Sequence, residues 1–409
     1  MREGSAEKSR GAARTAAAVL LGVFAFASTF SIAISQTALA AGFAVWAWLA
    51  LSGRLPRLRL SGLEIPVGTF FAVSAISAAL SPDPGAAFYN LRNYLLFSLI
   101  WYAGYAAVAP LVRRRLLVVL IVSGSCSALY GIALFVTGRG HGTFGRVAGP
   151  FSTAMTYGGI LMILLSLFLA QTIAPRIGLR LRLAAAAAST LCAAALFFSF
   201  TRSSWAGMTA SAAVILLLTR RRLLVPFFAL LVLGVLAMPA RYRERVTSMW
   251  DPEYRTNVQR INLVKGGISI FLEHPVLGTG PVDLADIYRE HMPPEAVHVH
   301  GHMHNIFLHV AVTLGSLGLV SFVWMLAAFF RLIAGNLELS LPPPERAWAA
   351  GSLGALAGFV VNGLFEWNFG DAEVLALILA VTGSGLAARV GSREGDNGAG
   401  NARKAREAI

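Results

Sequence analysis

The chain has 409 residues, 56% of them hydrophobic and 13% charged, with a mean hydropathy of +0.66. Soluble domains carry about 25% charged residues, so the composition excludes an ordinary soluble domain and points to an all-α polytopic membrane protein. A formal charge of +14 would suit nucleic acid, but most of the arginines stand in short clusters between apolar runs. There they read as a topology signal, and no nucleic-acid partner is expected.

The first apolar run has no small-residue cleavage site behind a brief core, so it is expected to be retained. A span needs about 20 mostly apolar residues. Such runs fall near 15–31, 34–52, 62–80, 93–110, 116–137, 151–173, 183–200, 203–218, 223–239, 304–330, 347–365 and 371–389. The expectation is thus about 12 transmembrane helices. Residues 1–239 hold the first nine, 240–303 form a large loop, 304–389 hold the last three, and 390–409 make a basic tail. Cys126 and Cys192 lie inside apolar runs and read as inert packing residues.

Charge gives the orientation. If Arg2, Lys8, Arg10 and Arg14 start in the cytoplasm, alternation puts Arg54-Arg57-Arg59, Arg113-Arg114-Arg115, Arg176-Arg180-Arg182, Arg220-Arg221-Arg222, Arg331 with Arg346, and the tail around Arg403-Lys404-Arg406 inside. Every inner connection is then basic, as the positive-inside rule requires, and both termini are cytoplasmic. The outer face keeps 81–93, 138–150, 200–204, the 240–303 loop and the 366–371 turn, whose Glu366 and Asp371 receive no role. Arg139, His141, Arg146, Arg202, Arg241, Arg243, Arg245, Arg255, Arg260 and Lys265 fall there against the topological bias. An anionic ligand would favour them. So would salt bridges to Glu244, Asp251, Glu253 and Glu273.

In the outer loop, Val258, Ile261, Val264, Ile268 and Leu272 recur at helical spacing and predict an amphipathic helix over 257–272. Such a helix would lie on the membrane surface or cap the bundle. Gly278-Thr279-Gly280-Pro281 reads as a structural turn. The run His298-Val299-His300-Gly301-His302-Met303-His304 is histidine-rich, but no carboxylate or thiol follows at ligand spacing, so no metal is expected.

Three features could carry chemistry. Arg202 sits in a tight link between two spans, and its planar fork suits bidentate contact with phosphate oxygens. Ser203 and Ser204 add hydroxyls at a helix start; alternatively Arg202 snorkels beside a lipid headgroup. Gly138-Arg139-Gly140-His141-Gly142-Thr143-Phe144-Gly145-Arg146 lacks the Lys-Ser/Thr of a nucleotide loop. It would let backbone approach a bulky ligand, with Arg139 and Arg146 beside it, or serve as a connector. His304-Asn305 opens a long apolar segment, followed by Gly315 and Gly318, which are expected to let a neighbouring helix approach. An imidazole there accepts protons near pH 7 or merely anchors a helix. Arginines with one histidine and no paired acids suit departure of a group that is already anionic.

These residues resemble the O-antigen ligase family. Its pattern of His, Asn/Ser/Gln, nine residues, Gly, two residues, Gly is met by His304-Asn305 and Gly315-Ser316-Leu317-Gly318. Thr201-Arg202-Ser203 resembles the family's Ser-Arg segment, and Arg260 with Glu273 to Pro281 resembles its loop segment. The resemblance implies a C-type glycosyltransferase-like fold in the bacterial inner membrane, with a large periplasmic loop and a periplasmic site. It implies transfer of a glycan from undecaprenyl pyrophosphate to a sugar hydroxyl of lipid A-core, with inversion and without cofactor, metal or ATP. His304 would be the base or orient the acceptor, and Arg202 and Arg260 would hold the pyrophosphate. Arg139, Arg146, His302 and Asn305 are expected around the substrates from position. An O-antigen polymerase remains a second reading. An organic-anion transporter is a third, though mid-span charges and an inverted repeat are wanting.

Overall fold

The computed structural model describes residues 2–53, 62–141 and 145–388. The expected inner cluster at 54–59, the middle of the glycine-rich loop and the basic tail at 390–409 lie outside the described residues. Among the described residues the chain is helical, without a strand.

The helices run as α1 (Arg2–Ala27), α2 (Ile32–Leu51), α3 (Glu64–Ala79), α4 (Pro84–Asn90), α5 (Ser98–Ala106), α6 (Pro110–Val136), α7 (Ala154–Ile173) and α8 (Leu179–Phe198). They continue as α9 (Arg202–Arg220), α10 (Leu224–Ala237), α11 (Ala240–Thr247), α12 (Arg255–Glu273), α13 (Ala285–His291), α14 (Ile306–Ala334), α15 (Pro343–Gly363) and α16 (Ala372–Ala388). Each expected span overlies helix, including a 3₁₀ turn at Leu91–Phe97 that leads into α5. By length and composition, five segments among the described residues could cross a membrane: α2, α6, α7, α8 and the stretch Ile306–Glu338 that contains α14. α10, only 14 residues long, buries none of its residues, and Val225, Leu230, Val232 and Leu236 stand exposed. An apolar helix left uncovered in this way suits hydrocarbon rather than water. The structure is that of a helical membrane protein.

α7 is buried along most of its length and sits beside α9 and α15. The last two approach backbone to backbone: a Cβ on Gly207 would stand 2.6 Å from the Gly358 carbonyl oxygen, the close approach that small residues permit between membrane helices. Phe70, Tyr94, Phe97, Phe322 and Phe369 form an aromatic knot joining α3, α14 and the turn before α16. Both cysteines are free; Cys192 is buried as expected, whereas Cys126 is exposed on α6.

The 240–303 loop is ordered. α12 extends the expected helix by a few residues, and it packs on the bundle with a side other than the apolar stripe, which stays outward as in the membrane-surface placement. Leu263, Gly266, Gly267 and Ile270 face inward, with the glycines against Tyr288 and Leu308. Val258, Ile261, Val264, Ile268 and Leu272 stay 36–69% exposed. Glycine stands at 266 and 267 because Tyr288 of α13 and Leu308 of α14 come within 2.6–2.9 Å of where a Cβ would sit, while Leu263 and Ile270 fill the rest of that face.

α14 is broken at Gly315, whose φ of 67° and ψ of −166° are non-helical. Residues 275–280 lie across the break and take over its hydrogen bonds. Ser316 N–H donates to the Pro275 carbonyl (2.8 Å), and the Thr279 and Gly280 amides donate to the carbonyls of Val312 and Thr313 (3.0 and 2.9 Å). Ser77 of α3 donates to the carbonyls of Leu277 and Thr313 at the same point. A Cβ on Gly315 would lie 2.2 Å from the Val276 backbone, and one on Gly318 would lie 2.1 Å from Leu314 Cβ. The expectation that these glycines admit a neighbouring helix is therefore corrected. They admit the loop's backbone and the kink itself.

Gly315→Ala adds a Cβ clash to a positive φ, so it should cost about 3 kcal/mol or more. Gly68→Ala, where a Cβ meets nothing within 4 Å, should be neutral or slightly stabilising. Thermal unfolding of the two purified variants in detergent checks this.

Candidate active site

His304 stands two residues before α14 in the left-handed backbone region, with φ of 45°. Histidine tolerates this region better than most residues, but the conformation is costly and marks a position fixed by its surroundings. Asn305 supplies one reason. Its Oδ1 caps α14 by accepting from the Phe307 and Leu308 amides (2.9 and 3.0 Å), while Nδ2 donates to the Leu364 carbonyl (3.1 Å). Its amide is thus occupied in joining α14 to the turn before α16, so a positioning role fits Asn305 better than the substrate contact expected of it.

That turn carries the residue the sequence left without a role. Glu366 Oε1 accepts from His304 Nδ1 at 2.8 Å, and the Trp367 amide also donates to it. Burial raises the Glu366 carboxyl, but the His304 hydrogen bond and the charges of His304 and Arg260 outweigh it and hold the group below its ordinary value. It is a carboxylate at neutral pH. Its position fixes a proton on Nδ1 and leaves Nε2 as the ring nitrogen not engaged with the carboxylate.

His302 and His300 face the same imidazole, with ring centroids 4.2 and 5.4 Å from that of His304. Burial and the neighbouring His304 lower His302 to about 4, so it is neutral at physiological pH.

The arginines converge from four elements. Arg260 of α12 donates from Nε to the Phe365 carbonyl (3.1 Å), which places it beside the Glu366 turn. Arg146 donates to the Ser199 carbonyl and Thr201 Oγ1 (3.1 and 3.3 Å). Arg245 of α11 donates to the Phe200 carbonyl and Tyr254 hydroxyl (3.2 Å each). Burial, and then the charges of its neighbours, lower Arg146, with Arg245 and Arg260 opposing its charge and Glu366 supporting it. Burial likewise lowers Arg260, Glu366 raises it and Arg245 lowers it further. For Arg146, Arg202 and Arg260 the acceptors found are carbonyls, hydroxyls and an amide rather than the carboxylates the loop offers. Hydrogen-bonded cations that outnumber the one carboxylate they share, Glu366, leave a net positive field for an anionic guest.

Arg202 is part of this field but does not open onto it freely. The strained Phe200, with φ of 50°, starts α9 so that Arg202 falls in its first turn. A cation at a helix N-terminus is disfavoured. Here Ser248 (2.6 Å to O, 2.9 Å to Oγ), Thr256 Oγ1 (2.5 Å) and Asn257 Oδ1 (2.9 Å) surround it, and the Tyr254 ring lies 5.0 Å away. Arg202 is 7% exposed, and its guanidinium holds the loop onto α9. The snorkelling alternative is thereby excluded. Arg139 is exposed, with its amide closing a turn on Leu134, and the structure does not bring it into the cluster. The loop that carries it is instead pinched by paired His141 and Arg146 backbones.

Asp371 serves the scaffold. It accepts from Thr156 Oγ1 at 2.6 Å and caps α16. Sequence reasoning placed Glu366 on the same face but could not pair it across 62 positions; its place in the turn before the last span was the available signal.

Residues 186–323 match the family model described as O-antigen ligase, a stretch that includes Arg202, Arg260, His304 and both motif glycines. No curated protein matches the chain.

Arg202→Ala removes the charged donor from several buried acceptors, which should cost about 3 kcal/mol. Limited proteolysis should then cut between 248 and 257 faster than in the unaltered protein. Unchanged cleavage would contradict the clamp.

Proposed function

We propose that this chain, whose residues 186–323 match the O-antigen ligase family model, transfers a glycan from undecaprenyl pyrophosphate to a sugar hydroxyl of lipid A-core. The reading places about twelve spans in the bacterial inner membrane, with both termini cytoplasmic, and the 240–303 loop and the site on the periplasmic side. The basic inner connections support that orientation. The observation that carries the chemistry is the His304–Glu366 pair at 2.8 Å, beside Arg260.

In this reading Glu366 holds the proton on His304 Nδ1, and Nε2 accepts the proton of the acceptor hydroxyl. As it does so, the alcohol oxygen bonds to the anomeric carbon. The bond from that carbon to the pyrophosphate oxygen breaks, and its electron pair leaves on the diphosphate. Arg260 and Arg146, next to Glu366, meet the departing charge. Arg202 adds to the field from behind while keeping the loop in register. Attack opposite the leaving group inverts the anomeric centre. The broken bond between the anomeric carbon and the diphosphate, a good leaving group, supplies the free energy, so transfer needs neither ATP nor metal.

Incubation of purified protein with a lipid-pyrophosphate glycan and lipid A-core, without ATP or added metal, tests this. The expected product is a ladder on the core. His304→Ala abolishes it, and Glu366→Gln lowers the rate by about 100-fold with little change in donor binding. A longer lipid-linked chain instead of a ladder would make the enzyme a polymerase. Full transfer by His304→Ala would dismiss the base.

A further inference from the structure

His302, His304 and Glu366 each point one ligand atom into a common space, and these atoms lie within 4.8 Å of one another. Buried atoms around that space want partners: His302 Nδ1, Glu366 Oε2 and the Nε2 of neighbouring His300 have none among the described residues. Such orphaned atoms are costly, and gathering three beside one imidazole calls for a guest. Two imidazoles and a carboxylate suit a borderline divalent transition metal, with His300 near enough to add a fourth nitrogen. Hard cations such as magnesium prefer an oxygen shell and fit poorly.

We propose that His302, His304 and Glu366 form a zinc-class binding site. Ligand bonds of about 2.0–2.2 Å require only small side-chain rotations, with the ion taking the place of the proton on His304 Nδ1, which passes to Nε2. The site would act as a brake, because an imidazole that binds the ion through Nδ1 and carries its proton on Nε2 has no electron pair left to deprotonate an alcohol. This consequence rests on the transferase reading above; the binding site does not.

The test uses the full chain purified through a histidine-free tag, with zinc ions and no substrate, so it is independent of whether transfer occurs. Titration should give one tight site per chain that magnesium does not compete for. His302→Ala and Glu366→Gln should each weaken it by about 100-fold or more, while His298→Ala, outside the trio, leaves it unchanged. X-ray absorption of the wild-type complex needs no variant and should show imidazole nitrogens at about 2.0–2.1 Å. The proposal fails if zinc binding is lost in His298→Ala yet kept in His302→Ala and Glu366→Gln, which would assign it to the exposed tract. A spectrum of water oxygens alone, or absent binding, overturns it equally.

Discussion

The 240–303 loop and the site beside it depend on one crossing of backbones. Where α14 breaks at Gly315, residues 275–280 of the loop lie across the gap and replace the helix's own hydrogen bonds. An unsatisfied peptide group in a membrane protein costs several kcal/mol, so a loop that fills the break is held as firmly as a helix. The sequence spacing follows from this. Gly278 and Gly315 face each other's strands of chain, and a side chain on either would enter the opposite backbone at 2.2–2.3 Å. Gly318 then clears Leu314 on the kinked helix. The nine residues from Ile306 to Leu314 set the distance from the crossing to His304.

With the loop fixed, charge does the remaining work. Arg202 binds the loop's 248–257 corner, Arg245 reaches back to Phe200, and Arg260 reaches forward to Phe365. The same arginines that fasten the loop therefore make the field at its mouth. Glu366 is the negative centre that His302, His304, Arg146 and Arg260 share. The carboxylate orients an imidazole, and the excess of guanidinium over carboxylate leaves room for a dianion. This division explains why transfer of a pyrophosphate-linked group fits the site better than hydrolysis through paired acids.

The helical membrane character, the extent of α12 and the placing of His304 and Arg260 on one face could be read from periodicity and charge, and their grouping in one site only from the resemblance to O-antigen ligases. Roles that depend on partners could not. Arg202 looked like an open phosphate clamp because nothing in a sequence names the carbonyl and hydroxyls around it. Asn305 looked like a substrate contact, although an Asn directly before an apolar helix is also a capping signal. Glu366 stayed mute because its partner is a histidine in another span, and Gly315 reads as small without revealing its positive φ. The apolar stripe of α12 fixed its helicity but not its inward face, which glycine packing decided.

Hydrogen–deuterium exchange of the purified protein tests the crossing most directly. The account predicts that the amides of Thr279, Gly280 and Ser316, which bond across the break, exchange as slowly as the body of α14. Exchange of 275–280 at the rate of an exposed loop, while α14 stays protected, would contradict it.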